Sequence, residues 1–260
     1  MSGTVTSDQP ADGVLRLSFD NAEKRGALDH AILDALAEAV ETADARAIII
    51  TGSGEFFSSG YDIGHLPAES FAEDAEKLVA HPFTNAIEAI DATDVPTVCA
   101  VNGPAIGGGL ELALSCDLRV SVDSAKFGMP PAKLGLVYSH TGMRRFIDAI
   151  GVPRTRELFL VGRRIDSATA LRWGLVNELA PAAELEACAL SWASELADNA
   201  PLSVSGNKRV IRELLKAQGE LDADVEAELI SLREASFSSD DMREGIAAFA
   251  EKRPPRWQGK

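Results

Sequence analysis

Two glycine-containing segments of this chain have the residue types to hold a developing negative charge. They are Phe57-Ser-Ser-Gly-Tyr-Asp-Ile63 and Ala105-Ile-Gly-Gly-Gly-Leu-Glu-Leu112. Three consecutive glycines, Gly107 to Gly109, let backbone approach a ligand closely, and a helix starting there leaves N–H groups without intrahelical acceptors. Glu111 follows Gly108 by three residues, which puts its carboxyl on the same side of the first helical turn. One short segment can therefore offer an N–H donor and a proton-transfer group to the same atoms. The plainer alternative is a tight strand-to-helix turn with Glu111 solvated beside a helix N-terminus. Other common motifs fail. Gly52-Ser-Gly54 lacks the third glycine of a dinucleotide fingerprint, and the Gly107–Gly109 run has no following Lys-Ser or Lys-Thr. There is no G-x-S-x-G nucleophile elbow.

The elements that must position these segments are legible as an α/β alternation. Val14 to Phe19 reads as a strand, and Asp29 as the N-cap of a helix with Ile32, Leu33, Leu36 and Val40 on one face. Ala47 to Thr51 and Thr97 to Val101 read as strands buried on both faces, Leu118 to Val122 as a third. Helices are expected over about 75–90 and 110–115. From about Phe146 onward the pattern is mostly helical, with only Val176 to Leu179 strand-like. Both glycine segments lie just past the C-terminal end of a buried strand, where open parallel sheets place ligands. The division expected is 1–200 for the α/β core and 201–260 for a helical region, whose stripe of Met242, Ile246 and Phe249 suits assembly.

Composition narrows the class. The 260 residues carry 25 Lys and Arg against 40 Asp and Glu, a formal charge of −15. That balance argues against nucleic-acid or anionic-membrane partners, whose binding depends on cationic surface. Cys99, Cys116 and Cys188 stand singly, which suits reduced thiols and a cytoplasmic location. Histidines 30, 65, 81 and 140 have no metal-ligand spacing, and no metal is expected. No signal peptide or spanning segment is expected either.

With those residues in view, the chain resembles the enoyl-CoA hydratase/isomerase (crotonase) superfamily. The matching segments run in order: Lys24-Arg-Gly-Ala-Leu-Asp29, Ala47-Ile-Ile-Ile-Thr-Gly52, Phe57 to Ile63, Val101 to Leu114, Cys116-Asp-Leu-Arg119, Ala125-Lys-Phe-Gly128, Lys133-Leu-Gly-Leu136 and Gly174-Leu-Val-Asn177. The resemblance implies a crotonase-like ββα spiral core and a C-terminal helical region used in oligomerisation. A homotrimer or dimer of trimers is implied as well. It implies acyl-CoA thioester substrates, with coenzyme A carried as part of the substrate and no other cofactor. The N–H groups of Tyr61 and Gly108 would form the oxyanion hole, with Glu111 catalytic. Lys24, Arg25, Ala27, Ser59, Asp62 and Ile63 match the segments that contact coenzyme A.

The departures bear on the reaction. Hydratases of the family work with two glutamates. Glu111 matches the first, but Pro131 stands where the second is expected, and proline cannot move a proton. Tyr138 and His140 lie nearby in sequence. Tyr138 is either a working hydroxyl or a half-buried ring bonded to backbone, and His140 reads as a capping or packing residue. The chain is also similar to the methylmalonyl-CoA decarboxylase branch, through the Pro131-to-Tyr138 pattern and the Asp241–Pro254 tail. That branch has a histidine where Tyr61 stands here. Three readings follow: an acyl-CoA enzyme working through a stabilised enolate, a malonyl-type (methylmalonyl or ethylmalonyl) CoA decarboxylase within that class, or a non-catalytic acyl-CoA-binding protein.

Overall fold

The computed structural model describes residues 2–61, 82–219, 221 and 223–258. Its centre is a six-stranded sheet. Strands β1 (Thr4–Ala11) and β2 (Val14–Asp20) form an antiparallel hairpin at one edge. Strands β3 (Ala47–Gly52), β4 (Thr97–Val101), β6 (Leu118–Val122) and β9 (Glu178–Ala180) then continue from β2 in parallel. A smaller sheet pairs β5 (Ala105–Ile106) with β7 (Lys126–Gly128) in parallel, and β7 with β8 (Arg164–Asp166) antiparallel.

The apolar runs of β3 and β4 are buried on both faces. Leu17, Ile48, Ile50 and Val98 are fully buried, each stabilising by about 1.5–3 kcal/mol relative to exposure. Helix α1 (His30–Glu41) is capped by the Asp29 carboxylate, which accepts from Ile32 N–H at 3.0 Å and Gly3 N–H at 2.7 Å. It packs on α2 (Thr84–Ala92). The expected 75–90 helix begins outside the described residues. Helix α7 (Leu185–Asp198) lies over β3 and β4.

Between these lie α3 (Gly108–Ser115), α4 (Pro131–Leu134), α5 (His140–Arg156) and α6 (Ser167–Trp173). A π-helical stretch, Glu157–Val161, follows α5. The helical half thus starts at His140, six residues before the sequence expectation, because Ser139 caps the helix by accepting from Gly142 N–H at 3.1 Å. The strand expected at Val176–Leu179 is β9, shifted to Glu178–Ala180.

The C-terminal helices α8 (Pro201–Gly219), α9 (Ala223–Phe237) and α10 (Asp240–Ala250) behave differently from one another. The supposed assembly stripe on α10 needs correction. Met242 is buried against Phe237, with Leu134, Leu136 and Ile246 around it, because α10 packs on α4 of its own chain. Only Phe249, 76% exposed, faces outward. Helix α8 buries none of its residues, and Leu202, Val210, Ile211 and Leu214 stand exposed on it. No helix among the described residues is long and apolar enough to cross a membrane.

Candidate active site

The two glycine segments lie side by side. Ser58 N–H donates to Pro104 O at 3.1 Å, and Ile106 N–H donates to Ser58 O at 2.9 Å. Gly107, with φ 57°, turns the chain from β5 into α3, while its N–H donates to Gly128 O at 2.9 Å. Gly60 has φ 97°, and a Cβ there would stand 3.0 Å from Ile106 O and 3.3 Å from Gly108 N. Only glycine permits that approach. The Tyr61 ring lies against Gly108, whose added Cβ would meet Tyr61 Cε1 at 2.9 Å. Among the described residues, neither the Tyr61 N–H nor the Gly108 N–H is hydrogen-bonded. Two donors on touching segments are thus left for something else.

Glu111 stands one turn into α3, whose eight residues are all buried, and is itself only 4% exposed. The alternative of a solvated carboxyl is thereby excluded. The Tyr138 hydroxyl donates to Glu111 Oε2. Arg145 Nε lies 3.7 Å from Glu111 Oε1, and Arg145 Nη1 donates to Asp91 Oδ2 at the end of α2. Gly142 makes room for the group, since a Cβ there would come within 2.7 Å of both Glu111 Oε1 and Tyr138 Cε1. The Tyr138 ring stacks edge-on with Phe159 at 5.4 Å, and Tyr61 with Phe83 at 4.7 Å.

Burial raises the Glu111 carboxyl above the ordinary carboxylate range, against the Tyr138 hydrogen bond and the Arg145 charge. Burial also holds both tyrosine hydroxyls neutral far above their usual range, aided by the nearby Glu111 charge. The arrangement supplies one tunable acid, two neutral hydroxyls and two backbone donors. Chemically, that suits holding an oxyanion and moving a single proton.

The remaining sequence candidates fall in two groups. Lys24, Arg25, Ala27 and Ser59 are brought together: Ser59 N–H donates to Arg25 O at 3.0 Å and Ser59 Oγ to Lys24 O at 3.3 Å. Leu28 N–H donates to Gly60 O at 2.8 Å, tying the loop to Tyr61. Arg25 lies over the Phe56 ring at 5.8 Å, and Ala27 is buried. Asp62 and Ile63 lie outside the described residues. His140 Nε2 sits 3.3 Å from Glu226 Oε1 on α9. Among the described residues no group of three or more metal-ligating side chains is gathered.

Pro131 opens α4 in a buried position. Because β5 and β7 are parallel, α3 and α4 begin at the same end of neighbouring strands. A carboxyl on α4 would therefore start from the edge that also launches Glu111. Sequence reasoning missed Arg145 and Asp91. The available signal was that Arg145 falls three residues after Gly142, beside the buried stripe of Gly142, Phe146 and Ile150.

Residues 9–260 match the family described as enoyl-CoA hydratase/isomerase. A "probable enoyl-CoA hydratase" of Mycobacterium bovis is 35% identical over 253 residues, covering 96% of this chain and 97% of that protein. Carnitinyl-CoA dehydratase of Salmonella enteritidis is 35% identical over 257 residues, with 95% of each chain covered. A solved methylmalonyl-CoA decarboxylase in complex with 2-nitronate-propionyl-CoA superposes with a TM-score of 0.89 at 27% identity, covering 99% of both chains.

Proposed function

The chain belongs to the enoyl-CoA hydratase/isomerase family, and from that membership we propose that it is an enzyme acting on an acyl-CoA thioester through a stabilised enolate. The N–H groups of Tyr61 and Gly108 would hold the thioester oxygen as it becomes negative. Preorganised donors of this kind are each worth about 10²–10³ in rate. The loop carrying Lys24 and Arg25 beside Ser59 would bring local positive charge to the coenzyme A phosphates in an otherwise acidic protein.

Within this class the reaction best supported is decarboxylation of a malonyl-type thioester. The observation that carries it is Glu111, the one buried carboxyl among the described residues, held by Tyr138 with Pro131 at the neighbouring helix start. In such a reaction the bond from Cα to the carboxylate breaks and carbon dioxide leaves. The electron pair moves into the enolate, whose oxygen sits on the two N–H groups. Glu111, protonated to higher pH than usual, then gives one proton to Cα. No second base is required. Hydration would need a partner acid or base across the substrate, which proline cannot supply.

The test is turnover of methylmalonyl- and ethylmalonyl-CoA against crotonyl-CoA, across pH. Decarboxylation should dominate, and its kcat should be present at low pH and lost as pH rises through the raised Glu111 pKa. Hydration using Glu111 as a base would give the opposite slope. Fast crotonyl-CoA hydration with that opposite slope would reject the decarboxylase reading. Binding of the thioesters with no turnover would favour the non-catalytic one.

Assembly into a trimer or a dimer of trimers is part of the same reading. Its support is the apolar surface of α8 and α9, where Val210, Ile211, Leu214, Val225 and Leu232 stand uncovered. Monomeric soluble chains seldom leave so much large apolar surface in one region. Light scattering at micromolar concentration should give three or six times the 27.6 kDa subunit mass. A subunit mass would overturn it.

A further inference from the structure

Beneath Glu111, two carboxyls share one guanidinium, and one of its donors holds nothing. Arg145 Nη1 donates to Asp91 Oδ2, which fixes one arm of the fork. The Nε of the same side chain is shielded from solvent and has no hydrogen-bond partner among the described residues. It lies 3.7 Å from Glu111 Oε1, a few tenths of an ångström too far for a hydrogen bond. A shielded donor left unmade is unfavourable, so it marks a position where a small movement is rewarded. Lysine could not occupy this role, because two N–H groups at a fixed angle are needed, one for each carboxyl.

We propose that Arg145, anchored by Asp91, is a positioning residue for Glu111: its Nε–H closes onto Glu111 Oε1 once that carboxyl has given up its proton, so that the pair sets the pH range in which Glu111 acts. This rests on Glu111 being the proton-transfer group of the reading above. The groups facing Glu111 are Asp91 from α2, Tyr138 from the segment before α5, and Arg145 from α5. Tyr61 faces Tyr138, and Arg233 of α9 acts on Tyr61. Burial and Asp91 favour the protonated carboxyl, while Tyr138 and Arg145 favour the ionised one.

The decisive measurement is an infrared pH titration of the Glu111 carboxyl band in the substrate-free protein, with Glu111→Gln used to assign the band. Arg145→Gln should move the midpoint upward by about one pH unit or more, since a nearby positive charge is lost. Arg145→Lys should move it less. Asp91→Asn should move it downward, because a negative neighbour is gone and the freed guanidinium can turn to Glu111. Opposite shifts from the two ends of one ion pair are not what general loosening of a helix contact would give. The pH profile of kcat should follow the same shifts, with KM for the thioester changed by less than about threefold. An unmoved midpoint in Arg145→Gln, or an upward shift in Asp91→Asn, overturns the proposal. If Arg145→Gln does not fold, Arg145→Lys and Asp91→Asn decide it by the same criteria. Because the titration needs no substrate, an absence of thioester turnover would reject the functional reading and leave this one to be judged separately.

Discussion

Replacing Glu111 by glutamine should lower turnover by about 10²–10⁴-fold, the usual cost of losing a general acid or base. Glutamine keeps the size of the side chain and can still accept the Tyr138 hydroxyl, but it cannot release a proton. The N–H groups of Tyr61 and Gly108 belong to backbone that the change does not touch. Acyl-CoA binding should therefore survive, seen as an unaltered rise in melting temperature with saturating thioester. The alternatives separate cleanly on these two readouts. Loss of both binding and turnover would mean that Glu111 holds the site together. Retention of full turnover would mean that the proton comes from elsewhere, with the Tyr138 hydroxyl the nearest candidate.

Exchanging Pro131 for glutamate should raise crotonyl-CoA hydration by about 10²-fold or more, if a missing second acid is what limits that reaction. The site would otherwise be equipped, since the oxyanion donors and one proton-transfer group are in place. A carboxylate at the buried position 131 is desolvated at a cost, partly offset because it is the first residue of a short helix, where negative charge is favoured. The Pro131 carbonyl, which accepts from Leu136 N–H at 3.0 Å, is kept by the substitution. Tyr138→Phe, added to this variant, should leave the gained hydration largely intact while lowering any malonyl-type decarboxylation. A crystal structure of the single variant would separate a displaced loop from a correctly placed but idle carboxyl. Rapid hydration by the unmodified protein would remove the premise.

The sequence alone determined the frame and the backbone of the site. Apolar runs such as Ala-Ile-Ile-Ile at 47–50 can be satisfied only by burial on two faces, and so they dictate a covered parallel sheet. The Asp29 cap, the Gly107–Gly109 turn and the spacing from Gly108 to Glu111 are local properties of the chain, and local properties are carried by sequence. Strand β1 was missed, because five of its eight residues are polar and most of it is exposed. The Asp12-Gly13 pair was the hairpin signal that could have revealed it. The fate of α10 was also misread, since an amphipathic stripe fixes which face is buried but not what buries it. Met242 turned inward because α4 happened to be its neighbour.

What only the tertiary structure decided is the company Glu111 keeps. Tyr138 and Arg145 come from one stretch around the start of α5 and Asp91 from a distant one, and no spacing rule links position 91 to 111 or 145. Arg145 follows Arg144 in an ordinary helix, where two adjacent arginines read as solvated surface; Arg144 is paired with Asp148 in that way. Three-dimensional packing left one half-buried arginine on its own helix partner and turned its neighbour toward the half-buried Asp91 and the buried Glu111. Protonation in such a cluster depends on distance, burial and the sum of neighbouring charges, and these exist only after the chain has folded.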